Sequence, residues 1–416
     1  MSSKENLLKT LNHEQPDHLV VDFGATPVTG IHILVVEKLR AHFGLEPKQV
    51  KAIEPYQMLG EVEEDLLEAM GVDVIGLSPP SDMFGNRLEN WKEYKTHWGQ
   101  EVLVPGSFKV KRGENGDTVL FPQGDDSVAP SAKMPNAAFF FDAINRQIPI
   151  DEAGLNPEDN LEEFSLISEE DLAYWRKSTA GLAGTERGLV ANFGGTAIGD
   201  IALVPAMNLK HPKGIRDVSD WYMSTLMRPD YLHQIFEEQT ELALKNLERA
   251  KEATGDMVDV AFICGTDFGT QDSSFCSLET YDELYAPYYK KINNWIHEHT
   301  AWKTFKHSCG AVEPFMEHFI ETGFDIINPV QVNAAGMDPV LLKEKYGSRL
   351  VFWGGGVDTQ KVLPFGTAKE VKTHVLKECE IFSKDGGFVF NTVHNIQANV
   401  PLQNVIAMLE AIKEFG

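Results

Sequence analysis

The spacing of hydrophobic residues switches repeatedly along the chain between short apolar runs and helical spacing. This pattern predicts alternating strands and helices. From residue 187 onward, short apolar runs of strand length are followed by longer segments with apolar residues near helical spacing. The clearest helix is predicted at 229–255. Its apolar residues near helical spacing are Leu232, Ile235, Phe236, Leu242 and Leu247. Strands and helices that alternate through short connections are typical of a parallel sheet.

The number of these units favours a closed barrel of the α/β class. Five or six strand–helix units follow residue 187. The first 75 residues add predicted helices that end at a glycine and are followed by a strand. Seven or eight units over the whole chain predict a (β/α)8 TIM barrel. A doubly wound open sheet is the alternative, but no G-x-G-x-x-G motif opens the series.

Between about residues 91 and 145 the sequence shows several short strand-like runs without helices between them. This pattern predicts a β-rich insertion in the N-terminal third. Asn115-Gly116 lies between two alternating runs, which is the pattern of a β-hairpin. We interpret this stretch as an excursion from the barrel, so that residues 1–416 form a single domain.

Composition and charge exclude several classes of function. The 416 residues carry a formal net charge of -25, which argues against a nucleic-acid partner or an anionic membrane surface. The first residues lack an apolar signal core, and no run approaches the ~20 apolar residues that span a bilayer. We therefore expect a cytoplasmic protein. Four cysteines in a chain of this length are not a disulfide framework.

Polar side chains follow several predicted strands, at the end of a β/α barrel where active sites lie. Asp267, Gln271 and Gln331 are the candidates for orienting a ligand. A further set could contact a cofactor: Asn192, Gly355 and Asp358. Strand ends are polar in any barrel, so each of these residues also has a purely structural interpretation.

The sharpest local feature is His307-Ser308-Cys309 at the end of a predicted strand. An imidazole and a thiolate at this spacing can bind one zinc ion, which accepts mixed N/S ligands and keeps an open position at catalytic sites. His394, after the last strand, is a candidate third ligand. In the alternative interpretation, His307 hydrogen-bonds a carbonyl group and Cys309 is a small buried residue.

Several motifs in this order resemble the uroporphyrinogen-decarboxylase-like superfamily. They are TDFGTQDSSFCS with YAPYYKKI, HSCG, ETGFDIINPVQ, LVFWGGGVDTQ and HNIQANVPLQNV, with LNHEQPDHLVVDFG near the start. The resemblance spans nearly the whole chain and is strongest from about 260 to 410. It implies a (β/α)8 barrel.

Within this superfamily the chain resembles the zinc-dependent, corrinoid-linked methyltransferases more than the decarboxylases. True decarboxylases carry an N-terminal Arg-Gln-Ala-Gly-Arg stretch, whereas this chain has VVDFGATPVTG there. The methylcobamide:coenzyme M methyltransferases bind zinc through H-x-C and a later Cys, which is followed by Ile, Pro and Asn at fixed spacing. His307 and Cys309 match the first pair, and Ile396, Pro401 and Asn404 match the later frame. His394 stands where that family has its Cys, which leaves the methyl acceptor open.

The resemblance implies a methyltransferase acting between a small methylated substrate (a methyl ether, methylamine or thiol, as in O-demethylases of one-carbon metabolism) and a corrinoid. The implied cofactors are Zn2+, bound by His307, Cys309 and His394, and a cobamide on a small partner protein. The sequence lacks a D-x-H-x-x-G cobalamin-binding segment, which fits a carrier in trans. One alternative is a decarboxylase-type lyase that uses Asp267 or Asp22 on a tetrapyrrole. Another is a non-catalytic barrel that binds a corrinoid or a partner.

Overall fold

The computed structural model describes residues 1–113 and 115–416. In this part of the chain the strands are, in order, β1 (Val20–Val21), β2 (Ala52–Glu54), β3 (Leu59–Gly60), β4 (Val74–Leu77), β5 (Lys92–Lys95), β6 (Glu101–Val104), β7 (Val110–Arg112), β8 (Thr118–Leu120), β9 (Ala132–Met134), β10 (Asp142–Ala143), β11 (Gly188–Ala191), β12 (Val260–Cys264), β13 (Lys303–His307), β14 (Ile326–Asn328), β15 (Val351–Trp353) and β16 (Phe388–Phe390).

The α-helices of the same part of the chain are α1 (Ser3–Leu11), α2 (Ile33–His42), α3 (Glu64–Met70), α4 (Glu169–Gly181), α5 (Val218–Met227), α6 (Pro229–Thr254), α7 (Leu278–Leu284), α8 (Ala286–His299), α9 (Met316–Glu321), α10 (Pro339–Tyr346), α11 (Val362–Phe365), α12 (Ala368–Phe382) and α13 (Leu402–Phe415). Helices α7 and α8 are separated by one residue, Tyr285. Pro287 lies in the first turn of α8, where its missing N–H costs least, so the helix is interrupted just before it.

Eight strands form one parallel sheet in the order β1-β16-β15-β14-β13-β12-β11-β4. The two ends of this sheet meet, because the Asp73 N–H donates to Val21 O over 2.8 Å. The Val21 N–H in turn donates to Asp73 Oδ2 over 2.9 Å. Together with the helices between the strands, this closure confirms the predicted (β/α)8 barrel, and the alternative of a doubly wound open sheet is wrong.

Each barrel strand contributes at least one apolar side chain to the interior cluster, as in other filled β/α barrels. These residues are Val20, Val74, Val190, Val260, Phe305, Ile326, Val351 and Val389, and β15 adds Trp353. Leu7 and Leu11 of α1 belong to the same cluster. Leu7 lies against Gly188, at the start of β11, so closely that a Cβ on that glycine would fall 2.1 Å from Leu7 Cδ2. Helix α1 therefore plugs the amino-terminal end of the barrel, and the carboxyl-terminal end is left to carry a site.

The predicted β-rich insertion is present between β4 and β11. Strands β5 and β6 form an antiparallel hairpin, and β7–β10 form a four-stranded antiparallel sheet. The hairpin predicted around Asn115-Gly116 is confirmed, because β7 pairs with β8 from Arg112 opposite Thr118. A bridge between Lys51 and Leu103 joins β6 to the start of the segment that carries β2.

The helices surround the barrel and pack on one another. Contacts join α4 with α6, α6 with α8, and α12 with α13. The longest helix, α6, has 26 residues and buries four of the five apolar residues whose spacing predicted it, while Leu242 is half-buried. Throughout residues 1–113 and 115–416, every helix falls short of the length and apolar character required to cross a membrane.

Candidate active site

The three predicted metal ligands meet at the carboxyl-terminal end of the barrel. His307 is the last residue of β13, Cys309 follows two residues later, and His394 lies in the segment after β16. One ligand atom from each residue lies within 4.8 Å of the other two. Cys309 Sγ is 3.3 Å from His307 Nε2, and the two imidazole ring centres are 5.6 Å apart. The barrel thus brings together residues separated by 85 positions in the sequence.

The tautomer of His307 is set by Asn328, the last residue of β14. His307 Nδ1 is 2.6 Å from Asn328 Oδ1, and the Asn328 amide is oriented because its Nδ2 donates to Trp353 O over 2.8 Å. An amide oxygen can only accept, so the ring proton lies on Nδ1. The Nε2 lone pair therefore faces Cys309, which is the arrangement that polar partners of metal-binding histidines impose.

The segment that carries His394 is anchored through its neighbour Asn395. The Asn395 side chain accepts from the Gly30 N–H over 2.6 Å and donates to Gln57 Oε1 over 2.9 Å. The Asn395 N–H donates to His394 Nδ1 over 2.8 Å. A neutral His394 ring in this contact holds its proton on Nε2, so binding a metal through Nε2 requires a change of tautomer and loss of the Asn395 contact.

Burial keeps both imidazoles neutral near pH 7. Desolvation lowers the pKa of His307 to about 4, against the opposing effect of the Asn328 hydrogen bond. Desolvation lowers the pKa of His394 to about 4 as well, and the neighbouring His307 adds to the effect. Neutral imidazole is the form that binds metals.

The pKa values of the Cys309 thiol and of the neighbouring Asp267 carboxyl group are raised, whereas those of the two imidazoles are lowered. Burial, reinforced by the charge of Asp267, raises the pKa of the Cys309 thiol well above its usual range. Burial also raises the pKa of Asp267, while the Cys309 N–H opposes that shift. A cation bound between these groups would stabilise both anions, so the site has the chemistry of a cation site more than of a free reactive thiol.

Asp267 lies directly beside the cluster, as its position after β12 predicts. Asp267 Oδ1 accepts from the Cys309 N–H over 2.6 Å and lies 4.0 Å from His307 Nε2. The Tyr222 hydroxyl of α5 donates to the Asp267 carbonyl over 3.3 Å. Tyr222 itself stacks on Phe275, with ring centres 4.5 Å apart. Asp267 therefore positions the Cys309 loop and presents a carboxyl group next to the proposed ligands.

Two glycines allow the loops after β12 and β13 to touch backbone to backbone. A Cβ on Gly310 would lie 2.4 Å from the carbonyl carbon of Gly269, and Gly310 has a φ of +89°. A Cβ on Gly269 would lie 2.6 Å from the Ala311 nitrogen. The contact holds the Asp267 loop against the Cys309 loop, and no larger side chain fits at either position.

Gln331 and Gln271 form a hydrogen-bonded chain that leads away from the cluster. Gln331 Oε1 accepts from the Gly310 N–H over 2.8 Å, and Gln331 Nε2 donates to Gln271 Oε1 over 3.0 Å. Gln271 Nε2 donates in turn to Asn333 O over 2.6 Å. The two predicted glutamines are thus placed together at one side of the site.

The three residues predicted to contact a cofactor lie outside this cluster. Asn192 accepts from the Gly194 N–H within its own loop. Gly355 has a φ of +85°, and a Cβ there would fall 2.8 Å from Val330 Cβ. Asp358 Oδ1 accepts from the Gln360 N–H over 2.7 Å. These contacts lie within or between the loops that follow the strands, and the cofactor role of the three residues stays a prediction.

Sequence reasoning missed the two residues that orient the site from outside. Asn328 was visible as a polar residue ending a buried run, but its role depends on the register that places it opposite His307. Tyr222 lies on α5, a helix whose hydrophobic pattern was not interpreted. An amphipathic segment starting at the capping residue Asp217 was the available signal.

The donor set fits a zinc ion. Two imidazoles and one thiol are borderline and soft ligands of the kind zinc prefers, and three protein ligands leave the fourth position open. Metal-binding histidines usually donate their second ring N–H to a polar partner, and Asn328 supplies that partner for His307. His307 is 4 % exposed, whereas Cys309 and His394 are half-buried, so the site is partly shielded from bulk water and open on one side.

Comparison with known proteins identifies relatives of the fold. The family model described as "Uroporphyrinogen decarboxylase (URO-D)" matches residues 168–415. A search of curated proteins gives no significant match. The solved structure of a "methyltransferase from Methanosarcina mazei" is 16% identical, covers 100% of this chain and 99% of that chain, and superposes with a TM-score of 0.55. At this identity the likeness establishes the fold alone. A "putative spore coat polysaccharide biosynthesis protein E from Chromobacterium violaceum", 11% identical over 59% of this chain and 70% of that chain, has a TM-score of only 0.25.

Proposed function

Because the chain belongs to the uroporphyrinogen decarboxylase (URO-D) family, we propose that it is an enzyme of the methyltransferase branch of that fold. It moves a methyl group between a small methylated substrate (a methyl ether, methylamine or thiol) and the cobamide of a separate corrinoid protein. The observation that carries the proposal is the cluster of His307, Cys309 and His394 within 4.8 Å. The likeness in fold to the "methyltransferase from Methanosarcina mazei", over the whole chain, agrees with it.

The three clustered residues would hold a zinc ion at the mouth of the barrel. Zinc, when bound, supplies a Lewis acid that lowers the pKa of a ligated thiol or polarises a leaving heteroatom. The chain's own contribution is to prepare the ligands. Asn328 keeps a lone pair on His307 Nε2, and burial keeps both imidazoles unprotonated near pH 7.

The residues around the cluster would orient the substrate. The Asp267 carboxyl group, 4.0 Å from His307 Nε2, can accept a hydrogen bond from a substrate hydroxyl or amine. Gln331 and Gln271 fix the position of the Cys309 loop through the Gly310 N–H. The corrinoid would approach the open end of the barrel on its carrier protein, with Asn192, Gly355 and Asp358 as the predicted contacts for the cofactor.

A decarboxylase acting on a tetrapyrrole is the second candidate, because the family model carries that description. Asp22, one of the two carboxylates considered for that reaction, is fully buried. Its oxygens already accept from Trp353 Nε1 over 2.9 Å and from the Ala25 N–H over 3.0 Å. Because Asp22 is fully buried and already hydrogen-bonded within the fold, its carboxyl group is not accessible to the pyrrole N–H groups of a tetrapyrrole, and the observation favours the methyltransferase over the lyase.

The proposal is tested by methyl transfer with zinc-loaded protein. Methylcobalamin is mixed with small thiol acceptors, and in the reverse direction reduced cobalamin is mixed with methyl ethers and methylamines, while the corrinoid absorbance is followed. We expect transfer by the wild type, a loss of two or more orders of magnitude in Cys309→Ala, and normal transfer by His299→Ala, an exposed histidine of α8. Equal rates in Cys309→Ala and wild type, or turnover of uroporphyrinogen alone, would overturn it. A non-catalytic corrinoid-binding barrel would bind cobalamin but transfer nothing.

A further inference from the structure

A second cavity lies beside the site, between the loops that follow β14 and β15 and the helix α12. Its volume is about 400 Å3. The polar side chains in its lining come from three parts of the chain: Asn333, Asp338, Asp358, His374, Lys377 and Glu378. None of them belongs to the cluster formed by His307, Cys309 and His394.

Two buried acceptor atoms in the lining of this cavity lack a hydrogen-bond donor. Glu378 is 1 % exposed, and within residues 1–113 and 115–416 no donor reaches its Oε2. The same holds for Asn333 Oδ1, while Asn333 Nδ2 donates to Gln360 Oε1 over 3.0 Å. Leaving a buried acceptor without a donor is unfavourable. Both unpaired atoms are acceptors, so a molecule bound in the cavity has to supply N–H or O–H donors.

The charges around the cavity favour a cation. Asp338, Asp358 and Glu378 contribute three carboxyl groups, against one lysine, Lys377, whose Nζ lies 3.6 Å from Glu378 Oε1. His374 adds no positive charge, because its Nε2 accepts from the Asp358 N–H over 3.3 Å and burial lowers its pKa. Burial raises the pKa of Glu378, and a bound cation would act against that shift.

The spacing of these groups argues for an organic cation over a metal ion. Across the described residues, the one set of three potential ligands within metal-binding distance is His307, Cys309 and His394. The three carboxyl groups of the cavity are therefore not gathered into a three-ligand metal site. A molecule that carries its charge on nitrogen and has several N–H donors can reach separated acceptors.

We propose that this cavity binds a small organic ammonium ion with at least two N–H donors, which pairs with Glu378 and hydrogen-bonds Asn333. The proposed ligand is connected to the site residues through Asn333, because the Asn333 carbonyl accepts a hydrogen bond from Gln271 Nε2 over 2.6 Å. Gln271 accepts from Gln331, and Gln331 holds the Gly310 N–H beside Cys309.

The test is titration calorimetry of the purified protein with ethylenediammonium at pH 7.5. We expect saturable binding to the wild type and binding about tenfold weaker or more to Glu378→Gln, which loses the charge but keeps the shape. Glu380→Gln, an exposed glutamate on the same helix, removes the same charge outside the cavity and is expected to bind like the wild type. Tetramethylammonium carries the charge without any N–H donor and is expected to bind at least about tenfold more weakly.

A second variant keeps the proposal testable if Glu378→Gln is poorly folded, which its melting temperature will reveal. Asn333→Ala removes the other acceptor from the opposite side of the cavity and is expected to weaken ethylenediammonium binding as well. The proposal is overturned if the wild type does not bind ethylenediammonium. It is also overturned if tetramethylammonium binds equally well, or if the folded variants bind as tightly as the wild type. These outcomes leave the methyl-transfer proposal unaffected, because the substituted residues, Glu378 and Asn333, are neither proposed zinc ligands nor predicted cofactor contacts.

Discussion

His307 and Asn328 occupy paired positions at the ends of neighbouring strands, and the His307 ring donates from Nδ1 to the Asn328 side-chain oxygen over 2.6 Å. This one hydrogen bond fixes the ring rotation and leaves Nε2 free to bind a metal. Because the Asn328 amide also donates to Trp353 O, it cannot rotate to present its nitrogen to the histidine. The barrel thus determines the tautomer of His307 through a residue on another strand.

Replacing Asn328 with alanine is expected to weaken zinc binding about 10–100-fold, because the ring loses the partner that orients it. The measurement is competition with a chromophoric zinc chelator. Asn391→Ala is the matched control, since Asn391 is equally buried after β16 and its amide also donates to a carbonyl, that of Asp22. Both variants are expected to lose about 1–3 kcal/mol of stability. Equal zinc affinity in the two variants would show that Asn328 has only a structural role.

Protein purified without added metal is expected to contain about one zinc ion per chain, as measured by mass spectrometry of the metal. His394→Ala removes one of three ligands and is expected to lose most of that zinc. His299→Ala, which changes an exposed histidine of α8, should retain it. Wild-type protein free of zinc would refute the three-ligand site, and the decarboxylase and the passive barrel would then become the leading hypotheses.

Gly310→Ala is expected to disrupt the contact between the Asp267 and Cys309 loops. An alanine would combine a positive φ of +89° with a Cβ 2.4 Å from the Gly269 backbone. We expect a loss of about 2 kcal/mol or more in the free energy of unfolding, together with weakened zinc binding. Gly44→Ala separates the two causes, because Gly44 also has a positive φ, +65°, but nothing within 4 Å of its Cβ. Chemical denaturation of both variants measures the difference, and equal losses would mean that the clash is relieved.

His32 is expected to make the fold sensitive to acid. Its Nδ1 accepts from the Leu34 N–H, its Nε2 lies 2.9 Å from Phe139 O, and burial lowers its pKa to about 4. The folded pKa lies below the unfolded value near 6.5, so the folded state binds fewer protons and this stability is lost as the pH falls from about 6.5 towards 4.

The size of this effect follows from the two pKa values. Between pH 7 and pH 5 the His32 contribution should fall by about 2 kcal/mol. His32→Asn keeps a good helix cap without a titrating ring, so its stability should fall less over that range by about the same amount. Denaturation of both proteins at the two pH values measures the difference. Parallel pH profiles for the two proteins would mean that His32 does not contribute.

The sequence was sufficient for the barrel because buried parallel strands read as short apolar runs between polar ends. The apolar run Leu350-Val351-Phe352-Trp353, for example, contains β15 at Val351–Trp353. The gathering of His307, Cys309 and His394 could be anticipated because all carboxyl-terminal strand ends of a barrel converge. The hydrogen bond between His307 and Asn328 could not be anticipated. It depends on the stagger between two parallel strands, which no local sequence pattern encodes. The two unpaired acceptors at Asn333 and Glu378 depend on side-chain packing and were equally invisible.

The pairing of β1 with β16 has a consequence for the nascent chain during synthesis. Val20 lies opposite Val389, and Val21 lies opposite Phe390, so the first strand of the barrel to be synthesised pairs with the last one. Until then the growing sheet has two open edges, and the apolar interior that spans all eight strands is incomplete. The nascent barrel is therefore exposed to aggregation until β16 is synthesised, and a chaperone that shields strand edges is most valuable before residue 390 emerges.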